Sequence, residues 1–173
     1  FDSCRGRHLL GGLAILGNNW GRRISPCLSW QYRRTPTEKQ ARGTRGEKLV
    51  GATQSCPRCK RDRTLRSLPQ NFKCADIICD FCGFLAQVKS FVADRTDQLP
   101  SQVLGAAWGP QKERMDAGIY YPLYFVAIAS SGRSFGLWYL PADLQRAEMF
   151  LPRKPLSSKA KRAGWQGFII EIR

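Results

Sequence analysis

Histidine is nearly missing from this sequence: His8 is the single one among 173 residues, and it lies in the N-terminal stretch. That excludes, in the body of the chain, any chemistry that needs an imidazole. Ser-His-Asp hydrolysis, His-ligated catalytic zinc and histidine-based phosphodiester cleavage all fall away. Acidic residues are also scarce, 13 Asp and Glu against 28 Lys and Arg, for a net charge of +15. Such an excess points to a polyanionic partner, nucleic acid before anionic membrane. Long apolar runs are absent too. The longest, "LYFVAIA" from Leu123 to Ala129, is too short to span a bilayer and long enough for a buried strand. A membrane partner is therefore not expected. "LLGGLAILG", Leu9 to Gly17, follows Arg5 and Arg7 in the manner of a signal peptide but lacks a small-residue cleavage site. Any catalysis must draw on carboxylates, lysine and a metal.

What is present organises into an arm and one domain. Residues 1–35 carry six arginines and one aspartate, with many glycines and no sustained apolar period. They read as a poorly ordered basic arm. Residues 36–173 have the length and apolar content of a single domain. Thr35, Pro36 and Glu38 resemble a helix start with a capping box, and Gly43 and Gly46 would each weaken that helix by roughly 1 kcal/mol. "FKCADIIC" and "GFLAQVKSF" read as two short strands facing each other across a turn. "SQVLGAAWGPQKERMDAG" reads as a helix kinked near Pro110. "YPLYFVAIAS" and "SFGLWYL" form a hairpin around "SSGR". A short helix, "PADLQRAEMF", a basic loop and a last strand, "GFIIEI", complete the order. The class is mixed α/β, a central sheet flanked by helices.

Cysteine gives the sharpest pattern. Cys56-Pro-Arg-Cys59 and Cys79-Asp-Phe-Cys82 are two Cys-x-x-Cys pairs nineteen residues apart. Each pair sets two thiolates at the tip of a tight turn, and two turns complete a tetrahedron around Zn²⁺. Four thiolates close the coordination, so this zinc is structural and cannot activate water. Metal-bound thiolates fit a reducing compartment, here the cytoplasm. Cys74 is a spare thiol expected to pack in the strand pair, and Cys4 and Cys27 are expected to be free.

Polar residues flank the second knuckle. Asp76 precedes it, and Gln87 and Lys89 follow on the returning strand, sharing one face because side chains alternate. One carboxylate, one amide oxygen and one ammonium would converge there. Phosphodiester hydrolysis uses such a set, with a hard divalent cation on the oxygens and an ammonium beside the attacking water. By spacing alone, the alternative of a solvated polar strand face stays open.

The run "RKPLSSKAKRAGWQG", Arg153 to Gly167, taken with "CADIICDFCGFLAQVKS", resembles the catalytic domain of the DpnI / Dam-replacing family of restriction endonucleases. Arg162, Ala163, Gly164, Trp165 and Gly167 match the family's Arg-Ala-Gly-Trp-x-Gly. The second knuckle falls between the aspartate and the x-Lys, as in the family, and the likeness runs from about Thr37 to Arg173. It implies a PD-(D/E)XK nuclease fold with an inserted four-cysteine zinc site. It also implies Mg²⁺-dependent, methyl-directed cleavage of double-stranded DNA at adenine-methylated GATC, as part of restriction-modification. Asp76 would match the metal-binding aspartate, Gln87 the second acid and Lys89 the catalytic lysine. Two departures follow. Gln87 stands where the family has a carboxylate, which removes one negative charge. This sequence also ends soon after the last expected strand, short of the winged-helix domain of the full-length relative, so it is either a fragment or a catalytic domain that acts alone.

Between Arg153 and Arg162 lie five cations and no acid. Arg153, Lys154, Lys159, Lys161 and Arg162 are expected to contact DNA phosphates, which positions a duplex without reading its sequence. The loop from Lys60 to Arg66 is a second such candidate. Trp165 is expected in the core, as tryptophan usually is. One rival reading is a non-catalytic zinc-ribbon nucleic-acid-binding protein derived from a nuclease, favoured by Gln87. A second is a structural zinc protein of a large RNA assembly.

Overall fold

The computed structural model describes residues 37–69 and 72–172. The expected basic arm, with Cys4 and Cys27, lies outside the described residues. Helix α1 (Glu38–Thr53) is followed by strands β1 (Leu65–Ser67), β2 (Ile77–Cys79), β3 (Leu85–Ala93) and β4 (Gln102–Gly105). Helix α2 (Trp108–Asp116) precedes β5 (Leu123–Ala129) and β6 (Phe135–Leu140). Two short 3₁₀ turns then lead to β7 (Phe150–Pro152) and β8 (Phe168–Glu171).

Five strands form the central sheet in the order β1-β2-β3-β5-β6. β3 and β5 run parallel, joined by the crossover through β4 and α2, and the other pairs are antiparallel. The expected mixed sheet is present. The remaining strands form a separate three-stranded sheet, β4-β8-β7.

β5 explains the layering. Its residues from Leu123 to Ile128 are all buried, and they alternate between two cores. Tyr124, Val126 and Ile128 meet Val50, Ile77 and Val88 on the α1 side. Leu123 and Phe125 meet Val103, Phe150, Phe168 and Ile170 on the side of the small sheet, where Trp108 and Met115 of α2 also pack. A strand covered on both faces must read as an uninterrupted apolar run.

The cap of α1 lies two residues later than expected. It is Thr37, paired with Gln40 in a capping box, with the Thr37 backbone N–H donating to Gln40 Oε1 at 2.8 Å. Two overlapping Thr-x-x-Glu/Gln frames occur here, and the helix uses the second. Gly46 is needed rather than merely tolerated. A Cβ there would lie 1.8 Å from Ser90 Oγ, so the glycine lets α1 seat directly on β3.

The stretch expected as one kinked helix is half strand. Gln102–Gly105 pairs with β8, and only Trp108–Asp116 is helical. Pro110 sits in the first turn, where a missing N–H costs nothing, so no kink arises. The expected helix at 141–150 is two isolated 3₁₀ turns. Strand β7 carried no periodicity to announce it.

Candidate active site and metal centre

The two cysteine turns are built alike. Lys60 and Gly83 each follow the second cysteine of their knuckle, and their N–H groups donate to Cys56 O and Cys79 O at 2.9 and 3.0 Å. Both residues take the left-handed backbone, at φ 60° and 71°. Cys56 N–H reaches Arg61 O at 2.9 Å, and Cys79 N–H reaches Phe84 O at 2.8 Å. The repeated geometry turns four sulfurs toward one point.

Cys56 Sγ lies 3.6 Å from Cys82 Sγ, and Cys59 Sγ lies 3.7 Å from Cys79 Sγ. All four lie within 4.8 Å of one another, and none is in a disulfide. A tetrahedron with Zn–S bonds of about 2.3 Å has edges of about 3.8 Å, so the cluster has the size of a tetrahedral thiolate site. The short edges cross from one knuckle to the other. Burial opposes ionisation of Cys79, yet Thr64 and the Cys82 and Phe81 amides outweigh it and hold this thiol down to about 6. Burial pushes Cys56 up to about 12. A cation entering the cluster would displace the thiol protons. The donor set fits a metal such as zinc.

β2 and β3 leave this clip as an antiparallel pair, with Ile77 opposite Ala86. One residue further the strands part, and Asp76 is held by β3 at two points. Its N–H donates to Ala86 O at 2.9 Å, and its Oδ2 accepts the Val88 N–H at 2.7 Å. Cys74, at φ 63°, then turns the chain away. Asp76 is thereby seated beside Gln87, which lies between its two anchor residues.

Gln87 is 6% exposed. Its backbone N–H donates to Pro122 O at 2.8 Å, and its Nε2 donates to Gln111 Oε1 of α2 at 3.5 Å. Its Oε1 has no hydrogen-bond partner. A buried acceptor left in that state costs about 1–3 kcal/mol, which a ligand or ion at this position would offset. Lys89 shares this face, with Nζ 5.8 Å from the centre of the Phe168 ring. Burial pulls its pKa below the ordinary lysine range, while Asp76 and Cys74 pull the other way. The carboxylate of Asp76 and the free oxygen of Gln87 are hard donors of the kind Mg²⁺ takes.

Three residues here carried no sequence signal. Gln111 engages the Gln87 amide. Arg114 bonds Pro110 O at 3.2 Å and bears on Cys74, whose thiol burial pushes up. Glu47 of α1 is half-buried; burial first, then the charge of Asp76, raises its pKa, and Ser67 opposes them. Only the packing of α1 and α2 onto the sheet brings these groups in.

The five cations of the basic loop lie where expected, between β7 and β8, and all are exposed. None forms an ion pair among the described residues. The loop is ordered by its own backbone: Leu156 N–H donates to Trp165 O at 2.9 Å, Gly164 N–H to Leu156 O at 3.0 Å, and Arg153 N–H to Gly167 O at 2.9 Å. Trp165 is not in the core. It is 37% exposed and lines a groove of about 790 Å³ with Arg42, Ser90, Arg95 and Arg153. The groove begins one residue past Lys89. Lys60, Arg61, Arg63 and Arg66 of the second basic loop are exposed as well, though Arg61 stacks on Phe81 at 3.5 Å and Arg66 pairs with Asp80 at 2.8 Å.

Residues 28–173 match the family described as DpnI: Dam-replacing family. The chain belongs to the Dam-replacing family. Both segments that carried the resemblance in the sequence lie inside the match. The family is one of restriction endonucleases, enzymes that act on DNA, and a net charge of +15 suits that partner. No helix of the described residues is long and apolar enough to cross a membrane.

Proposed function

We propose that residues 36–173 form a PD-(D/E)XK endonuclease domain that hydrolyses double-stranded DNA with Mg²⁺. We infer that cutting is directed to adenine-methylated GATC-type sites and that Zn²⁺ occupies the four-cysteine cluster. The observation that carries this reading is the unpartnered Gln87 Oε1 on the stretch of β3 that the Asp76 carboxylate anchors, two residues before Lys89, whose pKa desolvation lowers.

Asp76 and Gln87 would hold Mg²⁺, which when bound supplies polarisation of the scissile phosphate and offsets charge in the transition state. Lys89 orients the attacking water at Nζ. Its desolvated ammonium releases and regains a proton more readily than an exposed lysine does. Arg153, Lys154, Lys159, Lys161 and Arg162 bind the sugar-phosphate backbone beside the site. The zinc clip is structural, fixing the turn from which β2 and β3 emerge.

The test is plasmid cleavage in Mg²⁺, with adenine-methylated and unmethylated substrate. Cleavage of the methylated form at far lower protein concentration is expected. The rival reading, a non-catalytic zinc-ribbon binder, rests on Gln87 in place of a carboxylate. Retained DNA binding with no cleavage at any protein concentration would establish that rival.

A further inference from the structure

The nuclease reading asks more of an amide than of a carboxylate. A carboxylate has an oxygen at either end and serves a cation in both orientations. The Gln87 amide has one oxygen and one N–H₂ group of nearly the same shape. Turned end for end, it would present donor hydrogens to the ion instead of a lone pair. Some partner must therefore fix which end faces the site.

That partner comes from α2. Side chains alternate along β3, so Gln87, Lys89 and Phe91 share one face. It is the face of the second core: Phe91 packs against that core, and Lys89 Nζ lies 5.8 Å from the centre of the Phe168 ring. α2 covers the same side, where Trp108 and Met115 pack. Gln111 falls on their face of the helix, at the spacing i, i+3, i+7. The first turn is tied down by the Trp108 N–H, which donates to Gln166 O at 2.9 Å. Gln111 is as buried as Gln87, each 6% exposed, and its Oε1 accepts from Gln87 Nε2 at 3.5 Å.

The other end of the same amide supplies the second observation. Gln87 Oε1 is buried and has no hydrogen-bond partner. The main chain around it is held on both sides. Gln87 N–H donates to Pro122 O at 2.8 Å, and Asp76 binds Ala86 O and Val88 N–H. With the backbone fixed, the side-chain partner decides which end of the amide is engaged and which is free. We propose that Gln111 is a positioning residue for the cation site: by accepting the Gln87 amide hydrogen it leaves Gln87 Oε1 free for the ion, so that a glutamine can do the work of a carboxylate oxygen. The inference rests on the nuclease reading and names a residue that reading does not use. Gln111 acts through Gln87 and is not itself a ligand.

The probe is Mn²⁺, followed by electron paramagnetic resonance on the full zinc-loaded chain without DNA, so that the readout is metal affinity and not turnover. Gln111→Met keeps the length of the side chain and removes the acceptor. Its Mn²⁺ affinity is expected to fall about fivefold, the worth of one hydrogen bond. In a Gln87→Glu chain the same Gln111→Met change should alter affinity by less than about twofold, because either carboxylate oxygen can serve. A residue needed only for packing would cost as much in both backgrounds. If Gln111→Met does not fold, Gln111→Ala carries the same comparison. A loss as large or larger in the Gln87→Glu chain, or no loss in either, would overturn the proposal and leave the nuclease reading standing. Asp76→Asn tests the site itself. If that variant binds Mn²⁺ like the parent, the cation site is misplaced and both readings fall together.

Discussion

The carboxylate of Asp76 accepts the backbone N–H of Val88 at 2.7 Å, across the mouth of the hairpin that the second cysteine knuckle closes. A side chain here takes the place of a strand partner. The bond uses Oδ2 and holds Asp76 at the level of Gln87. Placement of the proposed chemistry therefore depends on the hairpin, and the hairpin on the cysteine cluster.

Lys89→Met should abolish cleavage and raise stability together. The lysine has a pKa lowered by burial, so the native state binds fewer protons here than the unfolded chain. Stability of the parent then rises with pH between the native pKa and the unfolded value near 10.5. Relative to the parent, Lys89→Met should melt higher at pH 7, and its advantage should shrink toward pH 10. Melting curves across that range check it, and an advantage that grows with pH would contradict the burial.

Removal of the cluster metal should cost the hairpin first. Cys59→Ser, or a strong chelator, should lower the melting temperature and lose the metal, one ion per chain by elemental analysis. Structural zinc in small domains carries about 10–16 kcal/mol of apparent binding energy at neutral pH, enough to decide whether such a segment folds. Amide exchange should report it, with Val88 among the amides that lose protection.

Neutralising the loop cations should weaken DNA binding without regard to sequence. Lys159→Ala, Lys161→Ala and Arg162→Ala combined should flatten the dependence of log K on log salt by roughly 0.9 for each phosphate that is no longer neutralised. Titrations of methylated and unmethylated duplexes between low and moderate salt measure this slope. An unchanged slope would remove the loop from the interface.

Gly46→Ala should lift α1 from β3. The new methyl would meet Ser90 Oγ at 1.8 Å and Ser90 Cβ at 3.0 Å. Overpacking of this kind costs typically about 1–3 kcal/mol. Ser90→Gly in the same chain should recover most of the loss, which thermal denaturation of the four variants would show.

The cysteine cluster was legible in the sequence because its spacing alone defines a ligand geometry. The strands flanking it were legible for a related reason: two runs rich in β-branched and aromatic residues lie on either side of a turn the cysteines mark. Gln102 to Gly105 was not. Four residues beside a helix give too short a sample of either period, and their strand character comes from pairing with β8, more than sixty residues away. Trp165 misled because tryptophan is usually buried, whereas here the loop's own hydrogen bonds hold it at a groove. Gln111 was invisible for a deeper reason. In α2 it is one polar residue among several, and only the packing of that helix brings it to the Gln87 amide.

β5 has no solvent face: Tyr124 and Val126 belong to one core, Leu123 and Phe125 to the other. The basic loop between β7 and β8 is nearly all solvent face, and its backbone is closed by bonds to itself and to Gly167. The two segments stand at opposite ends of evolvability. Drift along β5 meets packing on every side, so that strand is bound to keep its apolar character. The loop can change its charges and its reach while the frame stays fixed. In the enzyme proposed above, the grip on DNA could change without altering how the chain folds.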